Sequence, residues 1–500
     1  MKYLEELKDI GKERSIINSA VSLLAWDQKT FMPKSASEYR ADAIGYLSEL
    51  SFRKFVSKEI EEIIEKLESA SKSGLLTDKE EKVLRMTKYE YEIIKSLPPR
   101  LLKEITVESS KTEEIWVKAR SSGNFSLVKN QLSKIVDLSK EIAEKISYKD
   151  NPYDALIQRF EPKMTFSKLK KIIQSLKTDL IPFIKQVKNS DVKTSRELLK
   201  ENFNKESLKL ICEELLGVIG YDFDAGRLDE TVHPFTIDIS HNDTRVLTKF
   251  VTNDIGPTIF STLHEGGHAL YDQGLPEDFL WTVLHDGASY AFHESQSRMM
   301  ENNIGRNRFF SKFLLNILGK HFSHFENVDH ESFYRAINHV QPSLIRIEAD
   351  ELTYNIHIII RTEIEEALIN EKVKVSELPE IWNEKMKEYL GLIPANDREG
   401  LLQDVHWYAG MFGYFPSYML GNLYAAQLFS SLRNEIEDLD NMLEKGKLKK
   451  LLDWLRTNIH SKGKTLYPDE LIEEVTGEKL RASYFIEYVQ SKFSKIYELS

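Results

Sequence analysis

The sequence predicts a mainly helical fold that carries one small β-hairpin. Apolar residues recur at helical spacing through most of the chain, beginning with Leu4, Leu7 and Ile10. Only residues 232–250 approach the alternation expected of a strand pair. The length of 500 residues allows two or three domains, but no shift in composition and no Pro/Gly/Ser-rich linker divides the chain. We therefore expect one domain over residues 1–500.

Signals at helix ends locate several of the helices. Residues 77–80 (TDKE) have the form of a capping box at the start of a periodic apolar run. The proline pair at 98–99 should end that run, and the next helix should begin after it and stop near Gly123. The same helical pattern recurs in two further segments, 165–190 and 205–219.

The region that breaks the helical rhythm is typical of two strands joined by a turn. Residues 240–243 (SHND) have a turn-forming composition. Apolar or β-branched residues alternate with others on both sides of this turn: Val232, Phe235, Ile237 and Ile239 before it, and Val246, Thr248 and Phe250 after it. The alternation predicts a β-hairpin.

Composition excludes several classes of protein. The chain has 68 Lys and Arg against 79 Asp and Glu, a net charge of −11 that is spread along the chain, so nucleic-acid binding is not expected. Its one cysteine, Cys212, cannot form an intramolecular disulfide and lies in an apolar helical stretch typical of a core. We find no uncharged stretch of about 20 residues and no signal peptide, and expect a cytoplasmic protein without a membrane partner.

The most informative positions are residues 264–268, which read HEGGH. His264 and His268 are four residues apart, so they share one face of a helix and can offer both imidazoles to one metal ion. Glu265 lies beside them and is placed to act on a water at the metal. Each of the two glycines costs about 1 kcal/mol relative to alanine in a helix, which indicates that another group approaches the backbone closely there.

A hydrolytic zinc site needs a third protein ligand and one open position. Glu294 lies far enough after His268 in the sequence to belong to a second helix that packs against the helix of the two histidines. The glutamate could instead pair with Arg298, one helical turn further on. Glu301 and Asp286 are alternative third ligands, and spacing alone does not separate the three carboxylates.

These motifs resemble the carboxypeptidase Taq family of metallocarboxypeptidases. Residues 293–298 (HESQSR) are similar to the family stretch whose glutamate, here Glu294, is the third metal ligand. Other segments match family elements in the family's order: 26–28 (WDQ), 151–155 (NPYDA), 233–235 (HPF), 243–245 (DTR), 345–350 (IRIEAD), 400–407 (GLLQDVHW) and 413–418 (GYFPSY). The resemblance spans about residues 26–425, and Leu247 departs from it where threonine is usual.

The resemblance implies a large helical metallopeptidase of the gluzincin-like kind, with a small β-sheet beside a deep active-site cleft and its motifs within residues 231–420. It implies a homodimeric metallocarboxypeptidase of broad specificity that releases single C-terminal residues from peptides. One divalent metal ion is expected, zinc in the first place and cobalt as an alternative. The other hypotheses are a gluzincin-like endo-oligopeptidase and a non-catalytic helical binding protein. The intact Glu265 argues against the binding protein.

The catalytic roles follow from the chemistry of peptide hydrolysis. Glu265 is expected to act as the general base. The oxyanion needs an electrophile besides the metal, and the resemblance points to His406 and Tyr418. By residue type alone, His406 could instead pack beside Trp407, and Tyr418 could be an ordinary core aromatic residue.

A carboxypeptidase must also recognise a free terminal carboxylate, for which the planar fork of arginine is suited. Arg346 and Arg245 both fall within matched motifs, and we favour Arg346. The resemblance adds His233 to the substrate-binding set. Arg346 could instead form an ion-pair network with nearby acidic residues, Glu348 and Asp350. Arg245 could cap the hairpin and limit how far a substrate extends, and the hairpin could line the cleft or only pack on helices.

Overall fold

The structure is a computed structural model that describes residues 2–499, and it is dominated by α-helices. The helices are α1 (Lys2–Lys29), α2 (Ser37–Phe55), α3 (Lys58–Lys72), α4 (Asp78–Lys95), α5 (Pro99–Ser122), α6 (Lys129–Ile146), α7 (Pro152–Ile157), α8 (Phe166–Asn189), α9 (Lys205–Ile219), α10 (Ile255–Asp272), α11 (Tyr290–Arg298), α12 (Arg308–His321), α13 (His330–Ile337), α14 (Tyr354–Ile369), α15 (Leu378–Leu390), α16 (Phe415–Glu435), α17 (Leu439–Glu444), α18 (Lys449–Asn458), α19 (Pro468–Thr476) and α20 (Ala482–Tyr497). The strands are β1 (Leu228–Glu230), β2 (Phe235–Ser240) and β3 (Asp243–Thr248). The mainly helical fold predicted from the sequence is confirmed.

Within this described part of the chain, no helix combines the length and apolar character that crossing a membrane requires.

The predicted helix ends are formed by the interactions that the sequence indicated. The backbone N–H of Thr77 donates to the Glu80 carboxylate at 2.8 Å, and the N–H of Glu80 donates to the Thr77 hydroxyl at 3.4 Å. This reciprocal pair is a capping box at the start of α4. Helix α5 begins at Pro99 and ends before Gly123, whose φ of 65° is the left-handed conformation that glycine adopts without strain.

The predicted hairpin is present and belongs to a three-stranded sheet. Strand β3 lies in the middle, antiparallel to β2 and parallel to β1, so β2 is an edge strand. The alternation in the sequence did not reveal β1, which has only three residues. Leu247 is fully buried and packs with Trp26 and Ile239. An apolar contact therefore occupies the position where the resembling family has threonine.

The described residues group into two compact units, each assembled from three stretches of chain. The first unit comprises residues up to 94, 196–337 and 428–479. The second unit comprises residues 95–195, 338–427 and 480 onward. Neither unit is contiguous in sequence, which explains why no linker marks a boundary. The single domain over residues 1–500 stays a prediction.

Helix α10 forms the centre of the first unit and carries the HEGGH motif. It packs against α9, α11 and the sheet, so most of its residues are buried. The carboxylate of Asp254 caps its first turn by accepting a hydrogen bond from the N–H of Gly256 at 2.9 Å. Because an apolar helix surrounded on nearly all sides is held firmly in place, the polar side chains of its motif are also fixed in position.

Helix α14 has the corresponding place in the second unit. Fourteen of its residues are buried, among them three charged side chains, Arg361, Glu365 and Glu366. It packs against α6, α7 and α15. Buried charged groups require hydrogen-bonding partners, and those of Arg361 and Glu365 lie in the matched motifs described below.

The two glycines of the motif differ in what they face. A methyl group on Gly267 would overlap the carbonyl oxygen of Gln296 and lie 2.6 Å from the Cα of Ser297, which are backbone atoms of α11. A methyl group on Gly266 would instead meet the ends of two flexible side chains, Ile219 and Leu216, at 2.6 and 2.7 Å. The close approach predicted from the sequence is therefore the contact of α10 with α11 at Gly267.

We expect Gly267→Ala to lower the free energy of unfolding by about 1–3 kcal/mol, because the added methyl group pushes two helix backbones apart. Gly266→Ala is the matched control. Its neighbouring side chains can turn aside, and alanine gains about 1 kcal/mol over glycine in a helix. Denaturant unfolding in the presence of chelator measures both variants without a contribution from metal. Equal losses in the two variants would contradict the backbone contact.

Candidate active site

Three side chains of the first unit bring their donor atoms together. His264 and His268 of α10 and Glu294 of α11 each offer one atom, and all three atoms lie within 4.8 Å of one another. Nε2 of His264 lies 3.7 Å and Nε2 of His268 lies 3.4 Å from the same oxygen, Oε2 of Glu294. Two imidazole nitrogens and one carboxylate oxygen form a donor set that suits a divalent cation such as zinc. The three residues predicted as ligands therefore fit a metal ion.

The other two carboxylates that the sequence left open have different partners. Glu301 accepts from Nδ1 of His264 at 3.0 Å, on the side of the ring away from Glu294. Asp286 pairs with Lys464 at 3.1 Å. Glu301 lies in a π-helical turn, Met299–Ile304, which continues α11. Turns of this kind often occur at functional sites.

Arg298 links the predicted ligand to its neighbour. Its Nε donates to Oε1 of Glu294 at 2.6 Å, and its Nη1 donates to Glu301 at 3.1 Å. The sequence suggested the pair of Glu294 with Arg298 as an alternative to metal binding. In the structure this pair and the ligand cluster are present at the same time. Because Arg298 holds Oε1 of Glu294, Oε2 remains directed at the two histidines.

The electrostatic environment favours the protonation states that bind metal at two of these positions. Burial alone would raise the pKa of Glu294, but Arg298 and His264 hold it well below its usual value. Burial lowers the pKa of His268 to about 4. The pKa of His264 is raised despite burial, because Glu294 and Glu301 favour its cationic form. Cation binding at this site therefore competes with protonation of His264.

Glu265 is buried next to the ligand cluster and is held by the sheet. The hydroxyl of Thr236 in β2 lies 2.9 Å from Oε2 of Glu265 and 2.7 Å from its backbone oxygen. Burial raises the pKa of Glu265 to about 7, although His264 and Thr236 oppose this shift. A carboxylate with this pKa can both accept and return a proton near neutral pH. Thr236 had no signal in the sequence beyond its place in the alternating strand.

In the second unit, His406 and Tyr418 form a hydrogen-bonded pair. Nε2 of His406 lies 3.1 Å from the Tyr418 hydroxyl. The His406 ring also packs on Phe415, with ring centroids 4.6 Å apart. Burial lowers the pKa of His406 to about 4, although Asp404 opposes the shift, so the ring is neutral near pH 7. The pair therefore offers neutral hydrogen-bond donors.

Arg346 is nearly buried, with 7% of its surface exposed, and Asp404 fixes its orientation. Its Nε and Nη2 donate to the same carboxylate oxygen of Asp404 at 2.9 and 2.7 Å, and its Nη1 donates to the Tyr354 hydroxyl at 3.0 Å. Arg361 donates to the other oxygen of Asp404 at 2.6 Å. The ion-pair network considered for Arg346 thus forms with Asp404 rather than with its neighbours in sequence. The Arg346 guanidinium lies 5.1 Å from the ring centroid of Tyr418, which brings it beside the His406 pair.

The two remaining predicted residues lie at the hairpin of the first unit. Arg245 donates from Nε and Nη2 to the two carboxylate oxygens of Asp243 at 2.8 and 2.7 Å, and it lies over the ring of Trp26. It therefore caps the hairpin turn, which is one of the roles expected for it from the sequence. His233 is exposed in the segment before β2.

One buried carboxylate that sequence reasoning missed joins three of the matched motifs. Glu365 of α14 accepts from the Tyr153 hydroxyl at 2.5 Å, from Nε1 of Trp407 at 2.8 Å and from the N–H of Gly413 at 2.9 Å. These donors belong to motifs far apart in the sequence. Asp404 was also given no role, although it lies within a matched motif and next but one to His406.

Comparison with known proteins gives matches over the full length of the chain. Residues 6–493 match the family model described as carboxypeptidase Taq (M32) metallopeptidase. The chain is 41% identical over 498 residues to Carboxypeptidase 1 of Bacillus subtilis, with 99% of each chain covered. It is 37% identical over 503 residues to Thermostable carboxypeptidase 1 of Thermus thermophilus, covering 99% of this chain and 98% of the relative. The crystal structure of the M32 carboxypeptidase from Deinococcus radiodurans R1 has a TM-score of 0.96 at 32% identity, with all of both chains covered.

We expect Glu294→Ala to weaken Zn²⁺ binding by more than about 100-fold, because it removes a ligand, whereas loss of an outer partner typically costs 10–100-fold. Chelator competition measures the affinity, and circular dichroism checks that the helices remain. Asp286→Ala is the matched control, since Asp286 is paired with Lys464 and should leave the affinity unchanged. Full metal occupancy in the Glu294 variant would remove Glu294 from the ligand set.

Proposed function

Because the chain belongs to the carboxypeptidase Taq (M32) family of metallopeptidases, and is therefore a peptide hydrolase, we propose that it releases single C-terminal amino acids from peptides with broad specificity. The observation that carries this proposal is the cluster of His264, His268 and Glu294 with Glu265 buried beside it. We propose that these three ligands hold one zinc ion, or alternatively cobalt. When bound, such an ion polarises the scissile carbonyl and makes water a stronger nucleophile.

We propose that Glu265 is the general base. Thr236 bonds its Oε2, so proton transfer is assigned to Oε1. There Glu265 takes the proton from the attacking water and returns it to the leaving amine. Its pKa of about 7, which results mainly from burial, supports both halves of this role. The Thr236 hydroxyl keeps the carboxylate from rotating away between the two transfers.

We propose that His406 and Tyr418 stabilise the oxyanion. The neutral His406 ring can donate its Nε2–H to the oxygen of Tyr418, which orients the phenolic group beside the imidazole. A donor held in place before the reaction stabilises developing negative charge without the cost of reorganising solvent. The matched motifs that contain both residues support this role.

We propose that Arg346 binds the terminal carboxylate of the substrate. A guanidinium has five N–H groups, and three of those on Arg346 bond Asp404 and Tyr354. One N–H remains on each of Nη1 and Nη2, and donors on both nitrogens of a guanidinium suit a carboxylate. The fork of Arg245 already holds Asp243, so we assign Arg245 and the exposed His233 to contacts further along the substrate.

The alternative activity is cleavage of internal peptide bonds, for which the same donor set would serve. Mass spectrometry of timed digests separates the two. A carboxypeptidase produces a ladder of products that lack one, two or three C-terminal residues, and it loses most of its activity on amidated peptides. An endopeptidase produces internal fragments from both substrates. Chelator should abolish either activity, and Zn²⁺ or Co²⁺ should restore it.

The homodimeric state and the cytoplasmic location expected from the sequence stay predictions. Light scattering on the purified protein measures the first, and fractionation of the source cells measures the second. Metal analysis of protein purified without added metal identifies the resident ion.

Glu265→Gln keeps the size of the side chain but removes the proton acceptor. We expect the variant to bind metal normally and to turn over at least about 100-fold more slowly, which is the usual scale of general acid–base catalysis. Steady-state kinetics at matched metal content gives the comparison. Near-normal turnover by a fully loaded variant would show that another group is the base.

Arg346→Ala should lower kcat/KM on free-acid peptides by roughly one to two orders of magnitude, since a hydrogen bond to a charged group contributes about 1.5–3 kcal/mol. Any residual activity on amidated peptides should change much less, because they lack the second anionic oxygen. The amidated substrate is the internal control, since misfolding would depress both activities alike. Equal losses would exclude carboxylate binding by Arg346, and Arg245→Ala would then be tested in the same assay.

A further inference from the structure

The outer nitrogen of His268 contacts a second histidine rather than a carboxylate. Nδ1 of His268 lies 2.6 Å from Nδ1 of His293, and the two rings stack with their centroids 4.8 Å apart. Nε2 of His293 lies 2.8 Å from Oδ1 of Asp272. The two predicted metal-binding histidines are therefore held differently, because Glu301 contacts His264 directly.

The positions of the ring protons follow from the direction in which His268 faces. Its Nε2 is directed at Glu294 and the other donors, so that nitrogen must be unprotonated to bind a cation, and the proton lies on Nδ1. Nδ1 of His293 must then accept, which places the proton of His293 on Nε2. From Nε2, His293 donates to Asp272. Each nitrogen and oxygen in the series from His268 through His293 to Asp272 is therefore either a donor or an acceptor.

The place of Asp272 in α10 supports this arrangement. His264, His268 and Asp272 follow one another at intervals of four residues and so lie on one face of the helix. Asp272 is the last residue of α10, where a negative charge is unfavourable because the helix dipole is negative at this end. Helix stability does not account for an aspartate there, whereas its hydrogen bond to His293 does.

We propose that His293 and Asp272 are positioning residues that hold His268 in the tautomer and orientation that bind metal, as Glu301 does for His264. Asp272 acts on the site only through His293. The inference rests on the metal site of the proposed function but not on its peptide chemistry. It is therefore tested by metal binding without substrate, and its failure would leave the activity assays unaffected.

The first test is the Zn²⁺ affinity of the full chain, measured by competition with a chromophoric chelator. His293→Phe keeps a ring but removes the acceptor, and we expect an affinity about 10–100-fold lower, the usual effect of losing an outer partner of a ligand. Asp272→Ala should cause a smaller loss. The double variant should bind no more weakly than His293→Phe alone, within about twofold, because the two residues act in series.

Two comparisons separate positioning from general damage to the fold. His293→Gln has an amide oxygen that can accept from Nδ1 of His268, so it should recover part of the affinity lost in His293→Phe. His321→Phe makes the same ring exchange in α12, where His321 lies 3.6 Å from Glu214, and it should bind Zn²⁺ like the wild type.

The second test is the proton NMR spectrum of the Co²⁺-loaded protein. In this spectrum the paramagnetic ion shifts the signals of the exchangeable ring protons of bound histidines away from the other resonances. Asp272→Ala and His293→Gln should shift or broaden one such signal, that of His268. Glu301→Gln should perturb the other, that of His264. This readout needs no activity and reports each histidine separately.

The proposal would be overturned if His293→Phe had wild-type affinity. It would also be overturned if the loss of affinity in the double variant equalled the product of the two single losses, or if every variant changed both NMR signals in the same way. If circular dichroism shows that His293→Phe does not fold, Asp272→Ala and His293→Gln decide the question. Unchanged affinity and an unchanged His268 signal in both of these variants would also overturn it.

Discussion

The first unit depends on the buried carboxylates around the two histidines of the HEGGH motif and on the positive charge that compensates them. Glu294 and Glu301 are both shielded from solvent, and two carboxylates so placed would repel each other and take up protons if left alone. Arg298 donates to both and is itself only 13% exposed. Burial would raise the pKa of Glu301, but the charge of Arg298, together with His264 and Arg306, lowers it to about 2. The carboxylates therefore remain ionised, one directed at Nε2 of the histidines and the other at the outer nitrogen of His264.

This compensation works only because α10 and α11 approach closely. Gly267 lets the backbone of α11 come into contact with α10, which brings Glu294 within reach of both imidazoles and His293 within reach of His268. The π-helical turn after α11 then carries Glu301 to the far side of His264. Close packing of two backbones, rather than any single side chain, thus sets the geometry of the donor set.

The second unit also organises its functional residues around buried carboxylates, but with two different electrostatic outcomes. Asp404 accepts from two arginines, which hold its pKa well below the usual value although burial would raise it. Glu365 receives only neutral donors at its oxygens, and burial raises its pKa to about 7. The charged Asp404 orients the Arg346 guanidinium, while Glu365 connects three segments distant in sequence. A buried carboxylate is stable in either environment provided that its oxygens are hydrogen-bonded.

Local patterns in the sequence were enough to predict the helical class, the capping box at Thr77, the hairpin, and the placing of His264 and His268 on one helix face. The sequence could not separate Glu294 from Glu301 by spacing, because residues seven apart lie on the same stripe of a helix. Nor could it show that Asp404 rather than a neighbour in sequence would pair with Arg346, or that Asp272 would reach His268 through His293. These partners become visible only once the helices are packed together. Hydrogen bonds between distant segments depend on how closely helices pack, and that distance depends on contacts such as Gly267 against α11 that no local pattern encodes.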